Sequence, residues 1–181
     1  FANQHLGMAE SDGVRLLGQL SVMFVLFALP SGYLGGKIGR RQTISIGIIL
    51  MAAAMLSMAI LSVPILTQLL FTIPVLGEVP VVGLILMTAG IAWAFININS
   101  LPMVVDMTDN IRIGTYTGLY YLFSTLAAIA GPNINGLFVQ LAGRDYSVIM
   151  YIGPVFMALA LWMMFGVTRG EAQQADNPGQ D

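Results

Sequence analysis

Apolar runs fill almost the whole chain, cut apart by short charged or Gly/Pro-rich breaks. The widest intervals without a charge run from Glu78 to Asp106, from Arg112 to Arg144 and from Asp145 to Arg169; two more runs flank the Lys37/Arg40/Arg41 cluster. A helix rises about 1.5 Å per residue and the hydrocarbon core of a bilayer is about 30 Å thick, so about 20 apolar residues cross it. Each run is long enough. The pattern predicts an all-α, polytopic transmembrane helical bundle with spans near 14–34, 43–63, 81–105, 114–141 and 147–168.

The stretch from Pro64 to Pro80 is also apolar, but Pro64, Pro74 and Pro80 interrupt it. Proline removes a backbone donor and disrupts a helix interior, and the length between breaks is short for a span. It is therefore expected as a loop lying at the membrane interface. The alternative, a sixth tilted span, would move Arg112 to the other side of the membrane.

Composition agrees with a membrane protein. Charged residues make up 9% of the chain, against about 25% in soluble domains, too few to clothe a water-facing surface. A net charge of −2 gives no basic field for nucleic acid, so no nucleic-acid partner is expected. The absence of cysteine excludes disulfides and thiolate metal sites. His5, the lone histidine, sits in a polar N-terminal stretch without the converging donors a metal needs. No metal and no cofactor are expected. The first residue is Phe1 rather than Met, and the chain is expected to be a piece of a longer protein.

The cations set a direction. Alternating spans put Lys37, Arg40, Arg41, Arg112 and Arg169 on one side and leave only Arg15 and Arg144 on the other. Cytoplasmic loops carry the Lys/Arg excess. The expected arrangement is a multi-pass protein of the cell membrane, with its N-terminus outside and its C-terminus inside. Residues 1–13 form an extracytoplasmic loop, 14–169 the bundle and 170–181 a disordered cytoplasmic tail.

The first cytoplasmic loop reads Gly32-Tyr33-Leu34-Gly35-Gly36-Lys37-Ile38-Gly39-Arg40-Arg41. Physically this predicts a helix end, a tight glycine turn and a basic anchor. It resembles the signature loop of the major facilitator superfamily, of form G-x-L-a-D-r-x-G-r-r, with Gly36 where the aspartate usually stands. A second stretch holds Pro102, Asp106, Gly114-Thr115-Tyr116-Thr117-Gly118-Leu119-Tyr120, Gly131-Pro132 and Gly136. It is similar to the tenth and eleventh helices of the glycoside–pentoside–hexuronide:cation symporters and the related sucrose transporters. The resemblance covers residues 13–169 and implies helices eight to twelve of a partial major facilitator fold. The seventh helix and the N-terminal half would be the missing partner. A small-molecule solute, a sugar or glycoside, would move by alternating access.

The spans differ in polarity. The second and fifth carry few polar atoms, whereas the first holds Gln19, the third Trp93, Asn97 and Ser100, and the fourth Thr117, Tyr120, Tyr121 and Ser124. Polar groups in hydrocarbon are costly unless they face a partner helix or a wet cavity. Trp93, Asn97 and Ser100 share one helical face with Gly90. Carboxamides, hydroxyls and an aromatic platform suit a polyhydroxylated ligand, so these residues form the expected substrate cavity. The alternative is ordinary hydrogen bonding between neighbouring helices. The resemblance likewise implies that helices eight, ten and eleven line the cavity.

Asp106 ends the third span near the level of Arg40 and Arg41. An ion pair there would close the inner face in one conformation, making Gly32, Gly35, Gly39, Arg40, Arg41 and Asp106 the expected conformational switch. The resemblance implies the same pairing. No acid or base lies mid-span, so a coupling ion, H+ or Na+, would be bound in the missing half. The other functional readings are an exporter of drug-like or lipid-like solutes and a non-transporting membrane remnant or scaffold. Nucleotide loops and nucleophile–base pairs are absent from the sequence, and no enzymatic activity is expected.

Overall fold

The structure, a computed structural model, describes residues 6–109 and 111–170. His5 and the tail from residue 171 lie outside the described residues. The elements run α1 (Glu10–Ile38), α2 (Arg40–Ile60), α3 (Val63–Leu66), β1 (Leu69–Ile73), β2 (Gly77–Pro80), α4 (Val81–Asp106), α5 (Ile113–Leu141) and α6 (Val148–Phe165). The α1, α2, α4, α5 and α6 helices are long and apolar enough to cross a membrane, and they coincide with the five expected spans. The protein is a mostly helical, multi-pass membrane protein.

One expectation is corrected and one is given its structure. The glycine-rich stretch is not a turn: α1 runs on through Gly32, Gly35 and Gly36 to Ile38, and only Gly39 breaks the chain, at φ 100°. Glycine weakens a helix by about 1 kcal/mol, but here close packing supports it. Gly32 lies against Ile98 and Gly35 against Asn99, both on α4. The Pro64–Pro80 stretch is not a sixth span but a structured connection between α2 and α4. It forms the one-turn α3 and an antiparallel hairpin in which Phe71 pairs Val79, Thr72 pairs Glu78 and Ile73 pairs Gly77.

The α4 helix is the centre of the fold, packed extensively against α1 and α2. Its neighbours approach through small residues, the usual device where lipid supplies no hydrophobic drive between helices. The Leu20 carbonyl of α1 lies over Gly90, and a Cβ at Gly47 of α2 would stand 2.8 Å from the Ala92 carbonyl oxygen. The α6 helix seats on α2, with Met55 filling the space above Gly153 and the Tyr151 hydroxyl donating to the Ala59 carbonyl at 3.1 Å. The α5 helix touches α4 and α6 only sparsely, and Val139 is its one buried residue among those described. It continues through Pro132.

Candidate functional site

At the end of the bundle where α1 meets α2, Gly39 serves both helices as their shared terminus. The hydroxyl and backbone N–H of Thr43 both donate to the Gly39 carbonyl, at 2.9 and 3.1 Å, which fixes the first turn of α2. That turn presents Arg40 and Arg41 in different directions. Arg40 Nε stands 2.8 Å from Asp106 Oδ2 at the last residue of α4, with both side chains about three-quarters buried. The Nε–H is not aimed at the carboxylate, so the contact is an ion pair rather than a hydrogen bond. Arg41 turns away and donates from Nη2 to the Phe165 carbonyl at 3.1 Å, where α6 ends. A cation at a helix C-terminus meets the negative end of the dipole and an orphan carbonyl. Together the two arginines tie the start of α2 to the ends of α4 and α6.

One layer further in, α1 and α4 share a dry polar clamp. Ser31 and Asn99 are buried. The Ser31 hydroxyl donates to the Ala94 carbonyl at 3.0 Å. Asn99 Nδ2 reaches the Ser31 hydroxyl and the Phe95 carbonyl, each at 3.0 Å, and the Ser31 carbonyl at 3.3 Å. In the sequence Asn99 is one polar residue among several in its span. Sequence spacing gave no sign that it faces Gly35.

The expected cavity residues fall into three settings. Gln19 is fully buried at the other end of α1. Its Nε2 donates to the Leu76 and Glu78 carbonyls of the hairpin, at 3.2 and 2.8 Å. Ser100 donates to its own helix at Ile96, whereas Asn97 is exposed. Trp93 is half-exposed beside a recess of about 370 Å³ whose other walls include Leu20, Met51, Met55 and Met150. On α5, Tyr120 and Tyr121 pack edge to face with centroids 5.5 Å apart. Tyr121 and Ser124 are exposed, and Thr117 is half-buried. The α4 and α5 polar faces are therefore open, while Gln19 is committed to structure.

A recess of about 470 Å³ between α5 and α6 is walled by Ala127, Gly131 and Ile134 on one side and by Ile149, Gly153 and Phe156 on the other, and shares Met55 with the recess beside Trp93. Among the described residues no group of His, Cys, Asp or Glu is placed to hold a metal.

The chain matches the family model described as Major Facilitator Superfamily over residues 2–181. No curated protein matches it in sequence. Among solved structures, its fold is similar to that of the xylose transporter XylE from E. coli in an inward open conformation. The TM-score is 0.67 and the identity 15%, over 93% of this chain and 42% of that one. The chain thus spans less than half the length of that transporter.

Proposed function

The chain belongs to the Major Facilitator Superfamily, and from that premise we propose that it forms helices eight to twelve of a secondary transporter. The transporter moves a small solute, a sugar or glycoside, by alternating access, one helix bundle rocking against the other around a site near the bilayer midplane. The observation that carries this reading is the Arg40–Asp106 ion pair at 2.8 Å in the glycine–arginine loop. A partly buried pair at the foot of two packed helices can form in one conformation and part in the other. The signature-loop end faces the cytoplasm, in keeping with the Lys/Arg excess on that side.

The sugar assignment draws on the open face of Trp93 and Asn97 on α4, the Thr117, Tyr120, Tyr121 and Ser124 patch on α5, and the xylose transporter whose fold this one resembles. Within the family, the Gly114–Tyr120 and Gly131-Pro132 stretches favour the glycoside–pentoside–hexuronide:cation symporter and sucrose transporter branch. The N-terminal half completes the substrate site and holds any coupling ion, H+ or Na+. The bundle supplies binding and conformational change, with no chemistry on the solute.

Uptake of labelled glycosides into proteoliposomes bearing the intact protein tests this. Uptake that saturates and is competed by unlabelled sugar is the expected result. Flux of another solute class with none for any sugar would refute the substrate assignment. A second reading, export of hydrophobic solutes, is favoured by one observation: the recess beside Trp93 is walled almost wholly by apolar and methionine side chains. Competition by hydrophobic cations but not by disaccharides would select it.

A further inference from the structure

The β1–β2 hairpin is apolar on both faces. The register shifts between Leu69 and Phe71, which pair with the neighbouring residues Pro80 and Val79, so Leu69 and Phe71 lie on opposite faces; Leu69, Leu70 and Phe71 are all exposed. Val75 in the turn is 91% exposed. Only Val79 and Pro80 of the hairpin are buried against the bundle. The sole charge between Pro64 and Pro80, Glu78, has its carboxylate 3.6 Å from Arg15 of α1. A two-stranded hairpin with unpaired edges and uncovered apolar faces is unsuited to water. It is equally unsuited to the hydrocarbon core, where edge N–H and C=O groups find no partner. The headgroup zone satisfies both demands.

The hairpin is also held at a set depth. Gln19 donates to two of its carbonyls, and the Arg15 side chain lies close across Gly77, whose φ of 74° disfavours any residue with a Cβ. Val14 and Leu17, on the same turns of α1, are exposed and apolar, so the hairpin's outer face continues the lipid-facing surface of the bundle.

We propose that the hairpin is a lipid-seated arm: Leu70, Phe71 and Val75 occupy the interfacial zone of the leaflet opposite the Arg40–Asp106 end, and Gln19 with Arg15 transmits that position to α1. The occupant is bilayer lipid. The proposal rests on the membrane-spanning fold and holds whatever the solute.

The chain contains no cysteine, so single-cysteine variants need no background removal. Val75→Cys and, as an aqueous reference, Ile111→Cys, which is 93% exposed in the loop between α4 and α5, are each labelled with an environment-sensitive fluorophore. The full protein is placed in phosphatidylcholine vesicles. Position 75 is expected to be quenched by doxyl lipid labelled near the headgroup and to be severalfold less sensitive than position 111 to iodide present on both sides. Iodide quenching equal to that at 111 would place the hairpin in water and overturn the proposal. Shielding from both quenchers would place it under another protein segment and overturn it equally. Gln19→Leu, and Arg15→Gln should the first fail to fold, is expected to raise iodide access at position 75. Unchanged access in a folded variant would remove the latch.

Discussion

Asn99 of α4 occupies the space that a side chain at Gly35 of α1 would fill: a Cβ at position 35 would run into both Oδ1 and Cγ of the carboxamide. The carboxamide cannot swing away without giving up Ser31 and Phe95. Gly35→Ala is therefore expected to destabilise the protein by about 1–3 kcal/mol, the usual cost of overpacking. Gly36, one residue on, has nothing within 4 Å of its Cβ position. Gly36→Ala is expected to leave stability unchanged or raise it by up to about 1 kcal/mol through helix propensity. Thermal unfolding of the two variants in detergent checks both. Equal melting temperatures would mean that Asn99 does not sit in the Gly35 socket.

Gly39 has a different task. With φ 100° and ψ 140° it holds a conformation that residues with a Cβ rarely adopt, and it ends one helix as it starts the next. Gly39→Ala is expected to cost about 1–3 kcal/mol. The same melting assay reads the cost. Retention of full stability would show that the α1–α2 corner can be turned by another backbone route.

The Ser31–Asn99 clamp should behave as one unit. Interhelical hydrogen bonds in membranes are worth about 0.6 kcal/mol on average and about 1.7 at most. Ser31→Ala and Asn99→Leu are expected to fall in that range singly and to combine to less than their sum, because either change alone removes the shared bond. A double-mutant cycle on unfolding free energies measures the coupling. Strict additivity would mean that the two side chains stabilise the helices independently.

The spans could be read from the sequence because hydrocarbon thickness imposes a length, and few charges blur the ends. The Arg40–Asp106 pairing was legible for the same reason: with so few ionisable groups, an acid ending one span and arginines opening another have few other partners. The course of α1 through Gly32, Gly35 and Gly36 was not legible. Glycine marks a turn by local preference, and only contact with Ile98 and Asn99, far off in sequence, reverses it. The hairpin lacked an Asn-Gly or Asp-Gly turn signal, and three prolines masked its strands. Gln19 looked like a cavity residue because a buried amide bound to distant carbonyls and one lining a wet path are identical in sequence. Arg41 at the Phe165 carbonyl depends on where α6 ends, which hydropathy locates only to within a few residues.

The Arg40–Asp106 pair separates a conformational role from a static one. With both side chains about three-quarters buried, Asp106→Asn and Arg40→Gln each leave a charge uncompensated and are expected to lower stability by about 1–3 kcal/mol. The effect that marks a gate is the one on the balance between inward- and outward-facing states of the intact transporter. With the pair broken, the end of the bundle that holds Arg40 and Asp106 is expected to stay open longer, seen as faster alkylation of a cysteine placed at Ser100 and as slower net uptake. The charge-reversed double variant, Arg40→Asp with Asp106→Arg, is expected to recover part of the lost uptake, since attraction between the two positions is restored. Partial rather than full recovery follows from geometry: an arginine at the end of α4 no longer stands in the first turn of α2 beside Thr43. If Asp106→Asn changes neither alkylation rate nor uptake, the pair is a static tie between α2 and α4 and the gate lies elsewhere.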